Sequence, residues 1–519
     1  MALSINTNIS SLTAQRAIAD SKNDLETAME RLSTGSKINS ASDDAAGLAI
    51  AQRMTAQVNG LNMAIKNAND GISLTQSVEG ALVEVSDMLQ RMRELAVEGA
   101  NDTNTATERA FADNEVSSLQ LEISRVSLNT RYNGAQVLNG SFAAKSLQVG
   151  TEAGETLDFS IGNIESSKLG AYIIDGVTAV AVASSSTATD PTNAVADAEN
   201  VVITSYGVSR TIDVETDDTA KAVAKKINAV AASTQVVASA STYAWFSTDT
   251  ASTSTSARIK INGTETASFT MTANDVSDAV QKINSISSTT GVQATSTGDY
   301  KVLLKDADGD NIVIINTSTR TDLDIQAVGI DGETPSGYNA SSAVNGTAEL
   351  TFAASGSGTD TVNIRGNLKL SSNNDFKINQ ASATQYFTSG DTSAPLVNVS
   401  TLSVLTQIKA SNSLAIIDGA IETVSSMRGS LGTLQNRLDY TVSNLLKVTE
   451  FTTAARSRIA DADFAAETAR LAKAQVLQQA GASMLYQANA SPDTVLQLSL
   501  IHISEPTRLR RIAYDRVCV

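Results

Sequence analysis

Histidine and cysteine are the side chains that most often bind transition metals or activate a nucleophile. This 519-residue chain has one of each, His502 and Cys518. Over residues 1–501 that excludes zinc sites, Ser-His-Asp triads, Cys-His dyads and a His-Glu-x-x-His protease helix. Carboxylates are the remaining candidates. The pair Asp217-Asp218 has no histidine partner and no evident apolar pocket, so general acid–base chemistry has no support. Asp306, Asp308, Gly309 and Asp310 invite a calcium reading, but an EF-hand loop needs glycine at its sixth position and glutamate at its twelfth. Here the glycine is fourth, and between Val302-Leu303-Leu304 and Ile312-Val313-Ile314 these residues read as an Asp-Gly hairpin turn. Trp245, the only tryptophan, reads as packing within the first of two repeats described below. Arg91, Arg93 and Glu94 form a charged patch whose reading is a solvated face or a subunit contact. No enzyme, metal or cofactor is expected.

The elements that position these residues are set by proline and by apolar spacing. All five prolines, Pro191, Pro335, Pro395, Pro492 and Pro506, fall outside 1–190 and 396–491, so both stretches can hold long helices. In the first, Met54, Val58, Leu61, Ile65, Ala68 and Ile72 continue through Val78, Leu82, Val85, Leu89 and Met92 as a coiled-coil seam. A helix from about Ser42 to about Gly99 would be roughly 85 Å long. Ser42, Asp43 and Asp44 suit its amino end. A shorter helix follows with Val116, Leu119, Ile123, Val126 and Thr130, and turns are expected at Asn133-Gly134 and Asn139-Gly140. In the second stretch Ile417, Val424, Leu431, Leu438 and Leu445 recur every seven residues, with Ala420, Met427, Leu434, Thr441 and Val448 as a companion row.

Two outermost segments look weaker. Ile18, Leu25 and Leu32 mark one; Phe464, Leu471 and Leu485, with Ala474, Gly481 and Ala488, mark the other. The small row permits close helix approach, but each stripe offers too little apolar surface to offset roughly 1–2 kcal/mol per residue of backbone ordering. Both ends are therefore expected to be disordered in the free subunit and to order on assembly.

The middle, about 173–400, turns to Ser, Thr, Val and Asn and reads as short strands. It repeats itself: 201–246 parallels 259–304, each running strand, turn, strand, then a short helix ending in Lys-Ile-Asn (Lys226 to Asn228; Lys282 to Asn284). The fold class is therefore multidomain α + β, a long coiled-coil-like helical bundle formed by both chain ends with β-rich or α+β modules between. The net charge of −17 argues against nucleic acid. Met1 to Leu12 lacks a basic region and a continuous apolar run, so neither a cleavable signal peptide nor membrane insertion is expected.

Several runs together resemble the bacterial flagellin family. At the amino end these are Ile5-Asn6-Thr7-Asn8, Glu30-Arg31-Leu32-Ser33-Thr34-Gly35, Ile38-Asn39-Ser40-Ala41, Asp43-Asp44-Ala45-Ala46-Gly47 and Asn67-Ala68-Asn69-Asp70-Gly71. At the carboxy end they are Ser426-Met427-Arg428-Gly429, Leu434-Gln435-Asn436-Arg437-Leu438 and Ile459-Ala460-Asp461-Ala462-Asp463. The resemblance covers about 1–172 and 396–498. It implies an amino-terminal inner-tube helix (1–42), an outer-tube domain from 43–172 and 396–455, a surface insert (173–395) and a carboxy-terminal inner-tube helix (456–498). It further implies a helical homopolymer outside the cell, export of the unfolded chain through the flagellar type III apparatus, and three flagellar partners: an export chaperone, a filament cap and a hook–filament junction protein. The run Leu89 to Ala96 resembles the surface that an animal Toll-like receptor detects, with Gln90, Arg91, Leu95 and Glu115 as candidate contacts. A hook–filament junction protein and a secreted adhesin on a helical stalk are the alternatives. Residues 499–519 depart from the family, hold the only His and Cys and four Arg, and read as unrelated sequence.

Overall fold

A computed structural model describes residues 7–503 except 177–180, 185–192, 194, 196–199, 249–255, 273, 297–300, 330–349, 355–359, 381–385 and 388–389, with side chains to Ser491. The side chains of His502 and Cys518 thus lie outside the described residues. Nine α-helices are described: α1 Ile9–Thr34, α2 Ala45–Gly99, α3 Ala106–Asn129, α4 Ala220–Ala229, α5 Ala231–Thr234, α6 Ser277–Asn284, α7 Ser287–Thr290, α8 Gln407–Ala460 and α9 Phe464–Ile503. Helical ends enclose a strand-rich middle, so the fold is multidomain α + β. The chain divides into two units, residues 1–71, 147–157 and 437–519 in one and residues 72–146 and 158–436 in the other.

In the first unit α1 ends at Gly35, which takes the left-handed conformation (φ 71°) that favours glycine. Asp43 Oδ2 then accepts the backbone N–H groups of Ser40 and Asn39, which lowers its pKa, and Asp44 caps α2 by accepting Gly47 N–H at 2.9 Å. Along α2, Leu61 and Ala64 are buried with Leu445 of α8, and Ile65 and Val448 pack at their edge. Gly71 provides close approach, since a methyl there would lie 2.6 Å from Leu147 Cδ1 and 3.2 Å from Leu438 Cδ1. The heptad reading of Leu438 and Leu445 is thus a packed seam; both are buried.

The sequence reading expected 1–42 and 456–498 to lack order in the free subunit. In this structure these segments hold, among the described residues, the helices α1 and α9, paired with each other. The reason is mutual completion: Ala28, Ala474 and Gly481 let the backbones approach, so each thin apolar stripe finds the other.

In the second unit the buried seam of α2 runs Val78, Leu82, Val85, Leu89, Met92, Leu95 and Ala96, and that of α8 runs Ile417, Ala420, Val424, Leu431 and Leu434. Arg93 pairs with Asp418 at 2.6 Å and Arg428 with Glu79 at 2.8 Å, which places the two helices antiparallel. Helix α3 begins with a reciprocal capping box between Thr105 and Glu108 and buries Val116 and Ile123. It is tied to the chain before α8 by Gln120 Nε2, which donates to the carbonyls of Val399 and Leu402. The Asn133-Gly134 turn joins strands 131–132 and 135–136 with both central residues at positive φ.

The middle is built of antiparallel sheets. Strand Val237–Thr248 is its axis: residues 237–241 pair with 367–371, residues 242–246 with 302–306, and residues 243–248 with 323–328. Strands 170–175 and 396–398 extend the same sheet. A four-stranded sheet (390–393, 376–380, 201–205, 208–212) covers α4, and a five-stranded sheet (264–265, 259–261, 312–316, 361–364, 181–184) covers α6, giving two apolar cores.

The two Lys-Ile-Asn helices end alike. Asn228 exchanges two hydrogen bonds with the backbone of Ala238, both 2.8 Å, and Asn284 exchanges the same two with Ala294, both 2.7 Å. Thr234 and Thr290, each ending the next short helix, also make matching bonds.

Two sequence expectations are corrected here. Strands 302–306 and 312–316 do not form a hairpin; each finds partners in a different sheet, and the segment between them crosses from one to the other. Gly309 does adopt positive φ (80°), and Asp306 Oδ1 accepts the N–H groups of Asp308 and Gly309. The crossing is held by Lys221, whose N–H donates to Gly309 O and whose Nζ lies 3.1 Å from Asp308 and 2.8 Å from Asp310. Trp245 does not pack within the first repeat alone. It lies opposite Leu303 of the second repeat and Gln326, with Lys301 Nζ 4.8 Å over its ring.

Candidate assembly surface

Asn8 opens the α1–α9 pair in two ways. Its Oδ1 accepts Ser11 N–H and caps α1, while its Nδ2 donates to Ala488 O of α9 at 2.7 Å. At the other end Lys37 N donates to Ala460 O and Ala462 N to Gly35 O. Between these, Glu467 is 5% exposed and receives Arg31 at 3.3 Å and Arg470 at 2.9 Å. A buried pair of this kind adds little net stability, but it penalises registers that leave one partner alone.

Of the expected inner seam, Ile18, Leu25, Leu32, Leu471 and Leu485 are half-buried. Phe464 is corrected: it is 57% exposed, because Glu467, on the companion row seven residues before Ala474, fills the inward position at that end. A methyl at Gly481 would come within 2.8 Å of Ile18 Cγ1, so this is the closest approach along the pair that any glycine in it marks.

The outward faces carry apolar side chains without cover in the single chain. On α1 these are Ile9, Leu12 and Met29; on α9 they are Phe464, Val476, Leu477, Met484 and Tyr486. Sequence reasoning assigned none of these but Phe464 to assembly. The available signal was apolar residues off the heptad rows of otherwise polar helices. In the other unit Phe111, Leu121 and Leu128 of α3 are similarly exposed and were also missed.

The receptor candidates divide. Arg91 Nε donates to Glu115 Oε1 at 2.7 Å and a second nitrogen reaches Glu94 at 2.9 Å; Glu115 first and Glu94 second push the guanidinium pKa up. Gln90 is exposed beside them. Leu95 is 2% exposed, because the α2 seam turns it inward, so it packs the bundle instead of presenting a contact. Among the described residues no cluster of three or more His, Cys, Asp or Glu could hold a metal, and no helix is long and apolar enough to cross a membrane.

The family models for the bacterial flagellin N-terminal and C-terminal helical regions match residues 5–143 and 414–499. The B-type flagellin of Pseudomonas aeruginosa is 36% identical over 511 residues, covering 96% of this chain and all of that protein. The chain belongs to the bacterial flagellin family. Flagellin B of Vibrio cholerae is 32% identical over 498 residues, again across 96% of this chain and all of the relative. The two family models therefore frame the flagellin helices α1–α3, most of α8 and α9, while the relatives align through the middle as well. Among solved structures, FliC from Burkholderia pseudomallei aligns over 71% of this chain and 99% of that one (17% identity, TM-score 0.28). The flagellar junction protein FlgL from Legionella pneumophila aligns over 79% and 99% (10% identity, TM-score 0.32). Flagellin is a family of structural proteins.

Proposed function

We propose that this chain is the repeating subunit of an extracellular flagellar filament that serves motility, exported unfolded through the flagellar type III apparatus. Family membership supports the filament role. The observation that carries it in this molecule is the apolar outward face of the α1–α9 pair: two helices already complete as a pair still expose Val476, Leu477, Met484 and Tyr486, a face that further copies would cover in the polymer. In this reading residues 1–42 and 456–498 line the inner tube, 43–172 and 396–455 form the outer tube, and 173–395 face solvent. An export chaperone on the carboxy-terminal helix, a cap protein and a hook–filament junction protein are the partners. An animal Toll-like receptor would read Gln90, Arg91 and Glu115 on released subunits.

The test replaces Val476→Ser and Leu477→Ser together. Both are exposed in the single chain, so the helices should form, as far-UV circular dichroism would show. Burying what remains exposed of the two contributes about 1.5–3 kcal/mol, so the critical concentration for polymerisation should rise roughly 10- to 150-fold, read by sedimentation and electron microscopy. Normal polymerisation of the variant would overturn the assignment. Assemblies of the unaltered chain that stop at one short length would favour a junction protein instead.

A further inference from the structure

A cleft of about 550 Å³ lies between the four-stranded sheet of the middle and helix α8, bordered by Tyr206, Gln235, Asn373, Asn374, Glu422 and Ser426. Its wall is assembled from sharp turns. Tyr206 and Gly207, at φ 51° and 73°, form the two-residue turn joining strands 201–205 and 208–212; Gln235 holds positive φ at the end of α5. Tyr206 Oη donates to Asn374 Oδ1 at 2.6 Å, and Asn374 Nδ2 donates to Gln235 Oε1 at 2.9 Å. This chain of bonds fixes a ring that is 71% exposed.

What the chain of bonds leaves over is a set of groups with unused hydrogen-bonding capacity among the described residues: the Asn373 amide, Gln235 Nε2, the Ser426 hydroxyl and the Glu422 carboxylate. Planar amides and a carboxylate offer paired donors and acceptors to a ligand that presents many hydroxyls, and an amphipathic tyrosine ring offers a face to its C–H side. An apolar ligand would find the Tyr206 ring and Met427, but it would leave the polar groups around them without partners. An acidic ligand would meet Glu422 on a chain of net charge −17.

We propose that this cleft binds a neutral oligosaccharide. None of the cleft's residues belongs to the α1–α9 pair, but Glu422 and Ser426 stand on α8 within the stretch read above as outer tube, so binding is tested on the unassembled chain.

The experiment is saturation-transfer NMR on the full chain with three probes, N,N′,N″-triacetylchitotriose, maltotriose and 3′-sialyllactose. At least one neutral trisaccharide should bind. Tyr206→Ala and Glu422→Gln should each weaken that binding at least about tenfold, while Asp391→Asn on the far strand leaves it unchanged. Both substituted residues are exposed, so the variants should fold, which circular dichroism would check. The proposal fails if neither neutral sugar binds, if sialyllactose binds as tightly as they do, or if binding survives both substitutions.

Discussion

The paired asparagines at the ends of α4 and α6 allow one substitution to be measured twice in one molecule. Replacing Asn228 by Ala removes a donor to Ala238 O and an acceptor from Ala238 N–H; replacing Asn284 does the same at Ala294. Ala238 and Ala294 are 5% and 2% exposed, so water reaches their freed backbone groups poorly. Two neutral bonds at about 1 kcal/mol each set a floor of about 2 kcal/mol, and unsatisfied backbone groups carry the cost towards about 4 kcal/mol. With a urea slope of about 2 kcal/mol/M, each midpoint should fall by about 1–2 M. Trp245 fluorescence reports the transition, because its strand pairs with strand 302–306 of the second repeat and with strand 367–372, which belongs to neither. Aspartate at either position sharpens the test. Its carboxylate would face a backbone carbonyl, which raises the folded-state pKa. Stability would then be highest below the ordinary carboxyl pKa of about 3.9 and be lost as pH rises through the folded value. A midpoint change under about 0.3 M for both alanine variants would refute the assigned cost, and a cost at one site more than twice that at the other would refute equivalent roles.

Other perturbations follow from the same contacts. Asp306 carries a raised pKa because burial disfavours its charge, so its ionisation destabilises the fold as pH rises through the folded value. Asp306→Asn keeps the acceptor for the Asp308 and Gly309 N–H groups and should raise the urea midpoint at pH 7, with the gain vanishing below pH ~4. Gly309→Ala combines positive φ with a methyl 2.4 Å from Ala240 Cβ, so a loss of about 2–5 kcal/mol is expected by urea unfolding. Glu467→Ala leaves Arg31 largely buried without its partner and should expose α1 and α9 to hydrogen exchange faster than Glu467→Gln, which still accepts a bond.

The helical ends were legible because burial repeats along them: Ile417, Val424, Leu431, Leu438 and Leu445 were named from spacing and all are buried. Asp44 at the start of α2 was legible for a local reason, its side chain reaching a backbone N–H three residues on. What failed depended on partners distant in sequence. A carboxylate at an inward position, Glu467, is tolerable only because Arg31, 436 residues away, meets it, and no periodicity reveals that. The Asp-Gly segment has a hairpin's local chemistry, yet strand 302–306 gains more from Val237–Thr248, so tertiary pairing overrides the turn. Leu95 is the reverse case: a motif suggests a surface contact, whereas Leu95 stands three residues after the seam residue Met92 and is buried with it.

The middle begins and ends on one pair of strands. Gly170 lies opposite Asn398 and Tyr172 opposite Leu396, and Val399 N–H donates to Leu169 O just outside them. Its two ends are therefore clamped about one strand spacing apart, whatever lies between. Doubling the length of chain threaded through such a clamp costs only about 0.6 kcal/mol in closure entropy. The joint works as a socket: residues beyond it can be exchanged for a different domain with neighbouring termini, and the helices below would register no change in where the chain leaves and returns.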